Sequence, residues 1–533
     1  MIPDKIVMPL RGTAVLLALM VCLLFLHLGR IPLVGPDEPR YARVAVEMHR
    51  SGDLLTPTLQ GHPWFEKPIL YYWLAAASMT AFGESESAAR FPSVVACLTW
   101  VALTVWFGTR LYGASAGLHA GFVLGMNLLG FIFGRAAAMD MLLTACVTGS
   151  IGLFGLALLG RAGRAAAVSA YAVAGLAVLA KGPLGVLLPA LVVGTYLALS
   201  RDRESFRRVW SWPGVALFLF ITVPWYASMT LLHGRAFLSV FFLNHNLSRY
   251  FSTIHQHAGP FYYYAPILLC SLFPWAGLAV AGLLRLAPRR APLDRFLLIW
   301  LVAPLIFFSA AGSKLPGYVL PCLPPLALLA GRLAADCAED PGRHAAELRL
   351  AAVLTVVVGL CVAIAPLIVW YRVVSLWPLL VPGAFCVLAT ALLFAWRSMR
   401  GDPARALSVA RVGAATFLTV LTLVAPVVLS RLESGHDLFA LARREEVIVW
   451  GARRSVWMSG YFYNDGRVRE VYTLDQLMDE LSRGPRLVLC GPQERPQLLR
   501  PTLSASPIAS GPRGTSLVRV SRRPLAPKPN PAS

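Results

Sequence analysis

Long apolar blocks recur from Thr13 to Ser430, many of them near the roughly 20 residues that a helix needs to cross a bilayer. Of the 533 residues, 57% are hydrophobic and only 14% charged, whereas soluble domains carry nearer about 25%. A water-soluble enzyme and a disordered chain are both excluded, and a polytopic, all-α membrane protein is predicted. The first block, Thr13–Gly29, follows Lys5 and Arg11 with no A-x-A-like cleavage site before Arg30, so it reads as a retained span. Further spans are predicted at roughly 91–109, 115–134, 139–160, 166–181, 183–200, 212–232, 262–284, 294–311, 316–333, 350–370, 377–396 and 408–430, about thirteen in all. The block Ile69–Gly83 is the exception. As a helix it reaches only about 22 Å, short of a hydrocarbon core of about 30 Å.

Charge assigns that block. If Ile69–Gly83 lies in the interface, then Arg110, Arg161 and Arg164, Arg201–Arg208, Arg285–Arg295, Arg332–Arg349 and Arg397–Arg411 all fall on one side, which the positive-inside rule makes cytoplasmic. The net charge of +21 is then a topology signal, and no nucleic-acid partner is implied. The opposite face is poor in arginine and collects Asp37, Glu38, Glu66, Lys67, Arg135, Asp140, Lys181, the His233–His257 loop and Lys314. Of the 48 basic residues only Lys5, Lys67, Lys181, Lys314 and Lys528 are lysine. In so arginine-biased a chain, a retained lysine marks a place where a compact ammonium is wanted.

The long loop 31–90 contains two candidate interfacial helices. Asp37 or Glu38 can cap the first, which Pro39 opens and Gly52 closes, with Tyr41, Val44 and Met48 on one side and Arg40, Arg43, Glu47 and Arg50 on the other. The second is Ile69–Gly83. The transmembrane region is taken as 1–430, followed by a small α/β appendage over 431–521 and a Pro-rich, disordered tail over 522–533. Glu446–Gly451, Glu470–Tyr472 and Arg486–Gly491 read as strands, and Leu474–Arg483 as a helix with Thr473 and Gln476 as a capping box. By parity the appendage lies outside the cytoplasm. Most of the nine cysteines lie inside apolar blocks and read as packing residues.

Several polar groups on the arginine-poor face can carry chemistry. Two adjacent acids such as Asp37 and Glu38 are ordinarily a solvated loop or a helix cap; at the end of a span, beside other polar signals, they are candidate catalytic groups. Glu66-Lys67 is either a surface ion pair of little worth, or a lysine that holds a phosphate or a glutamate that holds a metal. Asp140 calls for function or a partner, and Arg135 is the nearest partner in sequence. Lys181 and Lys314 stand at span ends, where they either snorkel or bind an anion. The histidine spacing of the His233–His257 loop matches no tetrahedral zinc motif, and Arg249 suits phosphate better. Nucleotide-binding motifs are absent.

The succession Gly35-Pro36-Asp37-Glu38-Pro39-Arg40-Tyr41-Ala42, Ser51-Gly52-Asp53, Phe65-Glu66-Lys67-Pro68, Tyr72-Trp73 and Ala88-Ala89-Arg90-Phe91-Pro92 resembles the lipid-dependent glycosyltransferases of the GT-C class. Within that class it is most similar to the ArnT-like branch, and more distantly to the protein O-mannosyltransferases. Met139-Asp140, Lys181-Gly182, Arg249-Tyr250, Phe273-Pro274-Trp275 and Ser313-Lys314-Leu315-Pro316 with Tyr318 continue the likeness to about residue 335.

The resemblance implies a GT-C fold of thirteen spans with juxtamembrane helices, in a bacterial inner membrane, with the active site facing the periplasm. It implies transfer, with inversion, of a sugar such as 4-amino-4-deoxy-L-arabinose from undecaprenyl phosphate or another polyprenyl phosphate to lipid A or a related envelope glycolipid. By position Asp37 is the acid-base candidate, Asp140 a second acid in the cavity with Glu38 beside them, and Lys67 the phosphate ligand. Arg40 and Tyr41, in the same motif, are taken with Lys181, Arg249 and Lys314 as donor-binding residues. ArnT-like members read Glu-His before an Arg-aromatic pair where this chain reads His245-Asn246. That departure counts against a metal ligand at this point; a divalent ion held by Glu66 and His245 stays an option, and no cofactor is required. Two other readings remain open: a protein acceptor, and a flippase for lipid-linked sugars. A flippase favours inverted repeats and polar groups at the bilayer centre, and neither is evident.

Overall fold

The computed structural model describes residues 10–241, 259–287, 291–372, 377–442 and 444–523. Among these, nine helices are long and apolar enough to cross a membrane, the first being Glu86–Tyr112. Two bent pairs, Ala114–Gly125 with Leu128–Gly134 and Phe261–Ser271 with Ala276–Leu284, raise the number to eleven if each is one span, and Leu10–Phe25 and Leu184–Ser200 are shorter apolar helices of 16 and 17 residues at two further predicted spans. The chain is a multi-pass membrane protein.

The bends qualify the predicted spans. The first pair turns by 65° and the second by 118°. In the first, Asn127 is extended and its Oδ1 accepts the Gly130 N–H at 2.7 Å, so a side chain starts a new helix inside an apolar block. Helix Leu70–Phe82 has 13 residues, about 20 Å of length, and packs on both Asp37–Ser51 and Glu86–Tyr112 through Tyr71, Tyr72, Ala75 and Met79. It fails to span on length alone, as the charge pattern predicts.

Side-chain contacts sort the two ends of the bundle. At one end Arg161 donates to the carbonyls of Arg110 and Leu111, Arg295 to Ser200 Oγ, and Arg208 to the Leu158 carbonyl. Arg332 pairs there with Asp294 at 3.3 Å and Arg285 with Asp336 at 2.8 Å. Those residues come from six helix ends that the parity argument puts on one face. At the other end Glu38, Arg90 and Ala137 meet, as do Asp140 and Lys181.

Beyond the last long helix, Pro403–Glu433, the chain forms a five-stranded sheet in the order β4-β3-β5-β7-β6. The strands are β3 Val447–Trp450, β4 Val468–Val471, β5 Arg486–Cys490, β6 Leu503–Ser510 and β7 Ser516–Arg522; β1 and β2 are the two-residue pair Thr58–Leu59 and His62–Pro63 in the first loop. β3 lies parallel to β4 and β5, while β7 runs antiparallel to β5 and β6. The Thr473–Gln476 capping box opens helix Leu474–Ser482. Strands β6 and β7 were not expected, and β7 runs one residue into the stretch read as tail. All nine cysteines are unpaired.

The appendage rests on the first loop. Tyr463 Oη accepts the Leu33 N–H at 2.7 Å and donates to Glu86 at 3.1 Å, and Gln60 Nε2 donates to the Gly466 carbonyl at 2.7 Å. Asp465 Oδ1 takes Arg50 at 2.8 Å and also pairs with Arg43, whose Nε reaches Glu47 at 2.7 Å. The helix expected to lie on the membrane with one face in water is therefore covered on its polar side by protein.

Candidate active site

The site grows from the turn Gly35-Pro36 into helix Asp37–Ser51. Gly35 sits at φ +67°, where a Cβ would be strained. Pro36 occupies the N-cap and no side chain caps the helix, so Asp37 and Glu38 are first-turn residues and not the caps expected; there their charge still complements the helix dipole. Gly52 ends the helix in the left-handed region, at φ +71°, returning its N–H to the Met48 carbonyl.

The two acids have different surroundings. Glu38 is buried, and its oxygens accept four sets of donors: Arg90 Nε at 3.1 Å and Nη2 at 2.8 Å, the Val34 N–H at 2.8 Å and the Ala137 N–H at 2.6 Å. Arg90, 2% exposed, spends its remaining N–H groups on the carbonyls of Leu28, Ile31 and Pro32. This knot ties the end of the first span, the interfacial helix, the start of the Glu86–Tyr112 span and the turn before Asp140. Every acceptor position of Glu38 is engaged within the protein, and its bonds hold the segment that carries Asp37.

Asp37 keeps half of its side chain exposed and pairs with Arg40. Arg40 is buried; its Nε donates to the Pro36 carbonyl at 2.9 Å, Nη1 lies 3.6 Å from Glu66 Oε2, and the guanidinium stands 5.4 Å from the centre of Trp64. Lys67 is buried next to Glu66. Burial, then the Asp37 carboxylate, pushes the Tyr41 hydroxyl well above the ordinary tyrosine value, and burial raises Tyr72 too, against a Trp64 N–H donating to its oxygen at 3.2 Å. Both phenols remain protonated donors beside the carboxylates.

On the adjoining side Lys181 Nζ meets Asp140 Oδ1 at 2.5 Å and lies 5.5 Å from the centre of Tyr318. The expected partner, Arg135, turns away: it donates to the carbonyls of Leu23 and Leu26 at 2.6 and 2.7 Å, the unsatisfied end of the first span. Gly317 makes room here, since a Cβ would lie 3.3 Å from Asp140 Oδ1 and 2.6 Å from the Phe133 ring. Lys314 is buried and donates to the Ala311 carbonyl at 2.7 Å.

His245 and Arg249 lie outside the described residues. The described chain on either side of them arrives at the site. Phe237 packs 5.6 Å from Phe65, next to Glu66, and a Cβ on Gly259 would stand 3.1 Å from Lys314 Cδ. Among the described residues no three His, Cys, Asp or Glu side chains converge as metal ligands, and the one described candidate, Glu66, faces a guanidinium. An apolar cavity of about 660 Å³ opens between the Leu70–Phe82, Glu86–Tyr112, Asp140–Leu158 and Arg164–Lys181 helices, walled by Leu74, Phe82, Phe91, Val95, Leu142 and Leu176. Two of its lining residues, Phe91 and Leu142, lie within two positions of Arg90 and Asp140 in the sequence.

Residues that sequence reasoning left without a role are Arg90, the centre of the Glu38 knot, and Tyr318, beside Lys181. Arg90 carried a signal: it is a lone arginine opening an apolar block on the arginine-poor face.

Residues 66–227 match the family model described as dolichyl-phosphate-mannose-protein mannosyltransferase. An undecaprenyl phosphate-α-4-amino-4-deoxy-L-arabinose arabinosyl transferase from Yersinia enterocolitica is 32% identical over 369 residues, 68% of this chain and 66% of that protein, just under two thirds of its length. The crystal structure of ArnT from Cupriavidus metallidurans bound to undecaprenyl phosphate matches with a TM-score of 0.79 over 95% of this chain and 97% of that one, at 24% identity. The archaeal oligosaccharyltransferase AglB from Archaeoglobus fulgidus, in complex with an inhibitory peptide and a dolichol-phosphate, matches at 0.51 over 91% and 69%, at 13% identity. These likenesses extend the GT-C architecture across nearly the whole chain, appendage included.

Proposed function

We propose, from the premise that the chain belongs to the ArnT-like lipid-dependent glycosyltransferases of the GT-C class, that it moves a sugar from a polyprenyl phosphate to a lipid acceptor. The donor is undecaprenyl phosphate carrying 4-amino-4-deoxy-L-arabinose or a related pentose or hexose, and the acceptor is lipid A or another envelope glycolipid. The membrane is the bacterial inner membrane and the site faces the periplasm, because the arginine-rich end of the bundle is the cytoplasmic one. The observation that carries this reading is the convergence of Asp37, Arg40 and Glu66 on the arginine-poor end, with Lys67 buried beside them, in a chain 32% identical to the Yersinia transferase.

The reaction forms a bond between the anomeric carbon and an acceptor oxygen and breaks the bond from that carbon to the donor phosphate, with inversion. Polyprenyl phosphate leaves with the extra negative charge, which Lys67 neutralises in the transition state, aided by Arg249. An acceptor hydroxyl gives its proton to Asp37; an acceptor phosphate needs little deprotonation, and Asp37 with Arg40 orients it. The Asp140–Lys181 pair and the protonated Tyr41 hold polar groups of the sugar. The apolar cavity takes a prenyl or acyl chain. No step requires a metal.

Proteoliposomes containing the full chain, the aminoarabinosyl donor and lipid A test this directly. Transfer is expected, and Asp37→Asn and Lys67→Ala are each expected to abolish it while leaving the protein folded; full activity in either variant overturns the assignment. Chelation by EDTA is expected to leave transfer intact. The mannosyltransferase family match over residues 66–227 favours a second reading, a protein acceptor. Comparative lipidomics and glycoproteomics of cells with and without the protein separate the two.

A further inference from the structure

At the arginine-rich end of the bundle several of the described arginines meet carboxylates, and others, such as Arg161, donate to helix-end carbonyls. Arg285 faces Asp336, Arg332 faces Asp294, and Arg397 and Arg405 share Asp402. Arg411, on the last long helix, is different. Its Nη2 lies 2.8 Å from His119 Nδ1, its guanidinium stands 4.8 Å from the centre of Phe122, and its Nε is buried with no hydrogen-bond partner. No carboxylate pairs with it among the described residues. A cation at the edge of a bilayer core with no opposing charge is costly, and such a group either serves an anion or is replaced.

Next to that cation lies an apolar groove of about 370 Å³ between the first span, the Ala114–Gly125 helix and the last span, lined by Leu19, Phe122, Met126, Ala415, Thr419 and Val420. Arg411 lines the same groove. It lies eight residues into a helix that starts at Pro403, beside Arg397 and Arg405, so it marks the mouth nearest the arginine-rich membrane surface. From Arg411 to Val420 the groove runs toward the membrane interior for about 13 Å at 1.5 Å per residue. A phosphate at the mouth and a hydrocarbon chain along the wall are the two parts of one kind of molecule.

We propose that this groove is a binding site for an anionic phospholipid of the arginine-rich leaflet, its phosphate on Arg411 and one acyl chain along Ala415–Val420. The site lies at the opposite end of the bundle from the proposed transfer chemistry and does not depend on it. An arginine at a membrane surface contributes about 1 kcal/mol toward an anionic headgroup, which is about fivefold in occupancy.

The test is native mass spectrometry of the full chain released from nanodiscs holding equal amounts of phosphatidylglycerol and phosphatidylethanolamine. The wild type is expected to retain phosphatidylglycerol by about fivefold, and Arg411→Gln to retain the two lipids equally. Ala415→Trp, which leaves Arg411 in place and fills the groove, is expected to lose the retained lipid. Equal retention by the wild type, or an unchanged preference in Arg411→Gln, overturns the proposal. Should Arg411→Gln fail to fold, Ala415→Trp decides: undiminished phosphatidylglycerol on that variant overturns it as well.

Discussion

Asp37 and Glu38 are adjacent in sequence and begin two regions built on opposite principles. Around Glu38 and Arg90 every donor has an acceptor, the ions are almost wholly buried, and four chain segments are joined. Around Asp37, Arg40 and Glu66 the Asp37 carboxylate is half in solvent, and Arg40 lies 3.6 Å from Glu66. The first arrangement suits holding and the second suits reacting, because a group whose hydrogen-bonding capacity is used up has none to offer a substrate.

Breaking the buried knot should have the largest effect. Glu38→Ala or Arg90→Ala leaves one charge buried and unpaired, a cost of about 3–5 kcal/mol. Folded protein recovered in detergent and transfer activity should fall together. A Glu38→Ala protein that unfolds at the wild-type temperature but is inactive would show that Glu38 is chemical and the contrast wrong. Asp37→Asn should do the reverse, holding stability within about 0.5 kcal/mol and lowering kcat by about 10²–10⁴.

The surroundings of Asp37 were more legible in the sequence than those of Glu38. Lysines stood out against an arginine background, and the structure buries Lys67 and Lys314 and pairs Lys181 with Asp140. The partner of Asp140 was not legible, because Arg135 is five residues away in sequence while Lys181 arrives on a different helix. What claims Arg135 is the carbonyls at the end of the first span, 109 and 112 residues away. Spans and the non-crossing helix followed from length and charge parity; the breaks did not, since Asn127 inside an apolar run changes mean hydropathy little. Strand β6 was hidden for a similar reason. Leu503–Ser510 contains Pro507, is mostly exposed and shifts register at Pro507/Ala509, so it lacks the alternation that marks a strand.

The Asp140–Lys181 pair lies between the two extremes, partly buried and bonded to each other at 2.5 Å. Asp140→Asn and Lys181→Met should each lower kcat/KM by about 10–100-fold, and the double variant should be little worse than either. A coupling of about 0.5–3 kcal/mol in that cycle marks the two as one unit. Additive losses would mean that each contacts the substrate separately.

The smallest effect is expected where the appendage docks. Asp465 and Glu47 are lowered below the ordinary carboxylate values: burial works against their charge, but hydrogen bonds from Arg43 and Arg50 to Asp465, and from Arg43, Gly61, Thr58 and Gln60 to Glu47, outweigh it. Glu84 is lowered chiefly by its bond from Arg50. Of the three only Asp465 bonds across the interface: its depressed value adds docking stability that is complete above the free Asp value of about 3.9 and is lost as pH falls through the docked one, whereas Glu47 and Glu84 stabilise the first loop itself in the same way. Docking should therefore be unchanged between about pH 6 and 8 and should loosen below about pH 4. Hydrogen exchange over 460–471 reports it directly, with the backbone becoming less protected in acid. Asp465→Asn should weaken docking at pH 7 by about 0.2–1 kcal/mol per exposed pair and flatten the acid response. Tyr463→Phe, which removes an uncharged link to Leu33 and Glu86, should weaken docking by about 1 kcal/mol and leave the Asp465 response to acid in place. Equal acid sensitivity in wild type and Asp465→Asn would place the responding charge elsewhere and reduce this interface to packing alone.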